Sequence, residues 1–199
     1  MKKLNIPVTG LICVLLAISV HAQTGSDQAR NFQINETHTG SSQSDISPPL
    51  TQKWSVNFGQ PISYPLIADG KVFVTVKGAS LNGTTLYALN AADGSTLWSF
   101  DLAGSTNWSG LCYENGRVFA LTYDGLLRAF DGASGALIWS RQLASYAYTS
   151  APSVFQGVVY TSSGGNGTLY AVNADSGTIL WSARVVNGAE SSPALATDG

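Results

Sequence analysis

The chain has 199 residues, of which 11% are charged and 44% hydrophobic, and a formal net charge of −2. That balance lacks the basic surface on which nucleic-acid binding depends, so no nucleic-acid partner is expected.

Residues 1–22 read as a secretory signal peptide. Lys2 and Lys3 supply the positive start, residues 11–20 (LICVLLAISV) a short apolar run, and Val20-His21-Ala22 a small-x-small cleavage site before Gln23. The alternative, a transmembrane anchor, needs a longer run than this. Cys13 lacks the small residue before it that lipoprotein processing would use. Cleavage removes Lys2, Lys3, Cys13 and His21, leaving eight basic residues against twelve acidic, a net charge of −4. Cys112 is then the one cysteine and His38 the one histidine, so no intramolecular disulfide can form. Cys112 sits in an apolar run and reads as a buried, inert thiol. The mature chain is expected to be periplasmic, cell-surface or extracellular, with no membrane span.

Residues 23–49 are rich in Ser, Thr, Asn and Gln and read as a polar arm or linker. Residues 50–58 (LTQKWSVNF) read as a strand carrying Trp54.

From residue 63 onward the chain repeats. Residues 63–76, 109–122 and 150–163 align, each with a glycine in a short turn, at Gly70, Gly116 and Gly157. Each is followed by a second conserved-in-pattern stretch, at residues 86–98 (LYALNAADGSTLW), 127–139 (LRAFDGASGALIW) and 169–181 (LYAVNADSGTILW). The tryptophans that end these stretches, Trp98, Trp139 and Trp181, are 41 and 42 residues apart. Within each stretch an apolar β-prone run precedes a turn. Asn90, Asp131 or Asn173 can accept hydrogen bonds from backbone further on, and Gly94, Gly135 or Gly177 supplies a positive φ. Alternation along the next strand places Trp98, Phe100 and Leu102 on one face, and likewise Trp139, Arg141 and Leu143, then Trp181, Ala183 and Val185. Each tryptophan is expected to wedge between neighbouring repeats against the small Ala88, Ala129 or Ala171.

A tandem period of 40–45 residues made of short strands predicts an all-β fold, a β-propeller of four-stranded blades spanning residues 50–199. Residues 50–58 would be the last strand of a closing blade, and Trp54 is expected to pack little here because the rest of that blade is not in this stretch. Residues 191–199 begin a fourth repeat and stop at its first turn, so the 199 residues are expected to be the N-terminal part of a longer protein with a propeller of more blades.

The pattern Ala, x, Asn or Asp, two residues, Asp or Ser, Gly, three residues, Trp resembles the tryptophan-docking motif of the pyrroloquinoline-quinone-type propeller repeats. It falls on Ala88, Asn90, Asp93, Gly94 and Trp98, then on Ala129, Asp131, Ser134, Gly135 and Trp139, then on Ala171, Asn173, Ser176, Gly177 and Trp181. Secreted members carry a segment similar to residues 31–40 (NFQINETHTG), so His38-Thr39-Gly40 is expected to belong to an arm packed on the propeller. One histidine without a cysteine near it makes a poor metal site. The family includes quinone-dependent alcohol dehydrogenases, non-catalytic secreted propellers and the propeller of the outer-membrane assembly machine. The dehydrogenases, the resemblance implies, need adjacent cysteines, a calcium site of Glu, Asn and Asp, and a catalytic Asp. None of these is visible here, and the repeated Asn and Asp positions read as turns. No catalytic, cofactor or metal residue is therefore assigned. The loops between blades would line one mouth of the central channel, and Trp108, Tyr146 and Tyr148 lie in them as candidate binding residues. The function these readings favour is an exported, non-catalytic scaffold binding a protein or an extracellular polymer. The alternative is the N-terminal portion of a pyrroloquinoline-quinone-dependent dehydrogenase, with that quinone and calcium as cofactors. A sugar- or polymer-binding surface module is a third.

Overall fold

In each repeat, two apolar runs flank a two-residue turn and pair as a hairpin. In the computed structural model the turn residues are Asp69-Gly70, Asn115-Gly116 and Gln156-Gly157, every one of them at positive φ, between 48° and 80°. That is the geometry whose twist matches the strands it joins. The structure describes residues 28–41, 48–78, 83–102, 110–143, 150–163, 167–185 and 192–196.

The described strands form three four-stranded antiparallel meanders. Blade 1 is β1 (Leu66–Ala68), β2 (Lys71–Lys77), β3 (Thr84–Asn90) and β4 (Thr96–Asp101). Blade 2 is β5 (Gly110–Glu114), β6 (Arg117–Leu121), β7 (Leu126–Asp131) and β8 (Leu137–Gln142). Blade 3 is β9 (Ser153–Phe155), β10 (Val158–Ser162), β11 (Thr168–Asn173) and β12 (Ile179–Arg184). The first strands are the inner ones, since β5 lies against both β1 and β9. The row of blades is not closed into a ring. Among the described residues no helix is long and apolar enough to cross a membrane.

The hydrophobic core lies in the seams between blades. One cluster joins Phe73, Leu86 and Leu102 of blade 1 to Leu111, Val118 and Phe130 of blade 2. The next joins Cys112, Phe119 and Leu127 of blade 2 to Val154, Val159 and Val172 of blade 3. Alternation puts the two rows of side chains of blade 2 into two different seams, so the middle blade is packed on both faces.

The register slips by one residue at the same point of every blade. Ala88 faces Trp98 but Leu89 faces Thr96; Ala129 faces Trp139 but Phe130 faces Leu137; Ala171 faces Trp181 but Val172 faces Ile179. The extra residue, Leu97, Ile138 or Leu180, is a β-bulge left 47%, 44% or 49% exposed. A bulge bends and twists its strand, here directly before the tryptophan.

Residues 50–58, expected as a strand, pair with no strand among the described residues. In the complete blades the fourth strand hydrogen-bonds only to the third. Without such a neighbour the run has no ladder to join.

Candidate functional site

The turn after the third strand is built by its own polar residue. Asn90 Oδ1 accepts from the Ala92 amide at 2.9 Å, Asp131 Oδ1 from Ala133 and Ser134 at 3.1 and 2.7 Å, and Asn173 Oδ1 from Asp175 and Ser176 at 3.0 and 2.9 Å. Those bonds hold the Asp131 carboxyl below the usual carboxylate range, the Ser134 hydroxyl contributing most. Gly94, Gly135 and Gly177 close the turns at φ 76°, 74° and 69°.

These turns receive the tryptophan of the preceding segment. Trp98 of blade 1 donates from Nε1 to the Gly132 carbonyl of blade 2 at 3.2 Å, and Trp139 of blade 2 to the Ala174 carbonyl of blade 3 at 3.0 Å. The indole lies flat on the glycine. A Cβ on Gly135 would stand 2.6 Å from Trp98 Cδ2, and one on Gly177 2.7 Å from Trp139 Cε3. Ala88 and Ala129 sit opposite these tryptophans inside the same blade. The wedge therefore bears forward on the next blade's glycine turn, and the alanines are the small cross-strand neighbours beside the ring. Ala171 stands in the same way opposite Trp181, which meets no following turn among the described residues and is 46% exposed.

Trp54 differs from its expectation. Its Nε1 donates to the Ala91 carbonyl at 3.0 Å, and a Cβ on Gly94 would lie 2.7 Å from its ring. Phe58 adds a tilted contact to Tyr87 with centroids 4.9 Å apart. Trp54 is thus docked on blade 1 without the rest of its own blade, because docking needs only the turn ahead of the ring.

Polar ties cross the same seams. Tyr113 Oη of blade 2 donates to Asp69 of blade 1, and burial together with that carboxylate pushes the phenol well above its ordinary pKa. Arg117 pairs with Asp175, Glu114 Oε2 accepts from the Gly157 amide at 2.8 Å, and Arg141 Nε donates to the Gly177 carbonyl at 2.7 Å.

A second feature lies on the inner strands. Ala29 exchanges both backbone hydrogen bonds with Ile67 of β1, at 2.7 and 2.9 Å, and the Arg30 carbonyl accepts from the Tyr113 amide of β5 at 2.8 Å. Asn31, 3% exposed, uses its side-chain amide on β9, with Oδ1 accepting from Val154 N at 2.9 Å and Nδ2 donating to Val154 O at 3.4 Å. Three successive residues thus meet three successive blades. Further on, the Leu195 amide donates to the Glu36 carbonyl at 2.8 Å. Ser153 Oγ donates to the Pro193 carbonyl at 2.5 Å, so His38 Nε2–H, 3.3 Å away, is the donor to Ser153 Oγ. Gln28 bonds Asp69 at the hairpin end of β1 while His38 reaches the first residue of β9. Residues 28–38 therefore cross the inner strands of all three blades, from the hairpin end of β1 to the start of β9. The arm expected at His38 is thus packed on the blades, although the Asn31 contact, with a partner 123 residues away, is not visible in the sequence.

Trp108, Tyr146 and Tyr148 lie outside the described residues, as do residues 1–22. Cys112 is a free thiol, fully buried, and burial pushes its pKa up. The two cysteines, Cys13 and Cys112, are not adjacent in the sequence, and the described residues hold no group of three or more His, Cys, Asp or Glu suited to an ion.

Comparison with known proteins agrees with this architecture. The family model described as "Outer membrane protein assembly factor BamB" matches residues 22–152 and 145–198. A curated relative, "Alcohol dehydrogenase (quinone), dehydrogenase subunit" of Gluconacetobacter polyoxogenes, is 29% identical over 209 aligned positions, covering 89% of this chain and 26% of its own length. "Outer membrane protein assembly factor BamB" of Yersinia pestis is 32% identical over 148, covering 72% of this chain and 36% of its own. The crystal structure of the quinohemoprotein alcohol dehydrogenase from Comamonas testosteroni superimposes with a TM-score of 0.64 at 20% identity, over 81% of this chain and 28% of that one. The chain thus spans about a quarter to a third of the length of these proteins. With Trp54, Trp98 and Trp139 docked forward on glycine turns, four-stranded blades, and a family match over most of its length, the chain belongs to the PQQ-like β-propeller family that includes the BamB assembly factors.

Proposed function

We propose that this chain is part of an exported, non-catalytic propeller that serves as a binding and assembly scaffold for a protein partner. The observation that carries this reading is what the repeated polar residues do. Asn90, Asp131 and Asn173 spend their side-chain oxygens on turn amides, and those turns serve as seats for indoles. The family's repeat is thus used for assembly here, and function is left to surfaces set upon it. Export is supported by the charged start, apolar run and cleavage pattern of residues 1–22. A binding role at the channel mouth falls to the loops that hold Trp108, Tyr146 and Tyr148.

The second reading, a portion of a quinone-dependent dehydrogenase, is favoured by the relatives described as dehydrogenase subunits of quinone alcohol dehydrogenases. Titration of the purified protein with pyrroloquinoline quinone and calcium separates the two. The scaffold reading expects no bound-quinone absorbance, and stoichiometric uptake would overturn it in favour of the dehydrogenase.

A further inference from the structure

The inner edge of the three blades is a track of backbone groups: Ile67 N and O on β1, Tyr113 N on β5, Val154 N and O on β9. Residues 29 and 30 satisfy that track with three backbone hydrogen bonds, and Asn31 adds two from its side chain. Recognition of this kind is the capture of a short peptide laid across three strand edges, one residue to each, through main-chain groups and one asparagine, so it tolerates sequence change except at the asparagine.

The occupant is held under strain. Directly after Asn31 the chain reverses, with Ile34 N bonded to Asn31 O at 3.1 Å and Arg30 N to Ile34 O at 3.0 Å. The reversal places Gln33 at φ 55° and Ile34 at φ 82°, and His38 follows at φ 55°. A β-branched residue at positive φ is a backbone outlier that persists only where surroundings impose it. Residues 28–38 are otherwise shallow: Asn31 is fully buried, but Ala29, Arg30, Phe32 and Ile34 are only partly covered and Gln33 is exposed. A segment docked by a few hydrogen bonds, under strain and near the surface, belongs to the low-stability end of a fold, where exchange occurs.

We propose that the inner edges of β1, β5 and β9 form a peptide-docking track which residues 29–31 occupy in cis, and which an extended segment of a partner protein, carrying asparagine third in an x-x-Asn triplet, takes by displacing them. The proposal rests on the scaffold reading and gives its partner a chemistry.

The test uses the full chain and a fluorescein-labelled peptide Gln-Ala-Arg-Asn-Phe, the sequence of residues 28–32. Asn31→Ala loosens the resident segment by two hydrogen bonds, and Ile34→Gly relieves its strain and tightens it. Anisotropy is expected to show the peptide binding Asn31→Ala about tenfold more tightly than the unaltered chain, and Ile34→Gly more weakly than either. Hydrogen exchange at the Val154 amide should quicken in Asn31→Ala and slow again when peptide is added. A control peptide with alanine for its asparagine should bind none of them. Equal binding of the two peptides, or no binding to an Asn31→Ala chain that is folded by near-ultraviolet circular dichroism, overturns the proposal. Should Asn31→Ala fail to fold, equal affinity of the unaltered chain and Ile34→Gly overturns it instead. Quinone uptake would sink the scaffold reading whatever the peptide does, whereas no uptake together with no peptide binding would sink the track alone.

Discussion

Gly135 and Gly116 offer a controlled measurement of the tryptophan seat. Both hold a positive φ, 74° and 80°, so alanine at either pays the same left-handed backbone cost, about 1–2 kcal/mol. Their surroundings differ. A Cβ at Gly116 meets nothing within 4 Å, whereas one at Gly135 falls 2.6 Å from Trp98 Cδ2 and 3.0 Å from its Cγ. The indole cannot yield freely, because it also packs against the blade 1–2 core and its Nε1 is bonded to the Gly132 carbonyl. Overpacking of this kind adds about 1–3 kcal/mol. Gly135→Ala should therefore lose about 2–5 kcal/mol in urea denaturation and Gly116→Ala only the first part. Near-ultraviolet circular dichroism should change at Gly135→Ala, where an indole moves, and hold at Gly116→Ala. Equal losses with unchanged aromatic signals would show that the close approach of ring to turn contributes nothing beyond backbone strain.

The tryptophans themselves should rank by what lies ahead of them. Trp139→Ala should cost about 3–5 kcal/mol, Trp54→Ala about 2–4 and Trp181→Ala under about 1 by urea denaturation; a Trp181 loss equal to that of Trp139 would refute forward docking. His38 has its pKa lowered from 6.5 by burial, so the folded state favours the neutral ring. Its contribution is present above pH 6.5 and lost as pH falls through the lowered value, and the protection of the Leu195 amide relative to its intrinsic exchange rate should fall on acidification unless His38 is replaced by Gln. N-terminal sequencing of the exported protein should begin at Gln23, and a retained Met1 would refute cleavage after Ala22.

The features legible in the sequence are those whose cause is local. Asn90 with Gly94, and Asp131 with Gly135, specify a turn within five residues, so the strands on either side follow, and the repeat spacing supplies the architecture. The seat of each tryptophan was not legible. Alternation places Trp98 on the correct face, but its hydrogen-bond partner lies 34 residues ahead and depends on the bulge at Leu97 and the twist between blades. The expectation for Trp54 failed for the same reason: the missing neighbour was sought behind the ring when the seat is in front of it. That an arm around His38 packs on the propeller was expected, but its contacts were hidden, because backbone-to-backbone bonds leave no residue pattern and a lone buried asparagine carries none either.

Forward docking has a consequence for the order in which the molecule can be made. A tryptophan leaving the ribosome must wait for a turn 34 to 37 residues behind it in synthesis, about 2–7 s at 5–20 residues per second. Seams then close one after another from the N-terminus, each short delay ending as the next blade is completed. Asn31 must wait 123 residues for Val154, about 6–25 s at the same rate. A segment that emerges before any blade thus finds its place only once β9 of the third has been made, and until then the inner strands it will cover stand with their backbone groups open to whatever extended chain is nearby.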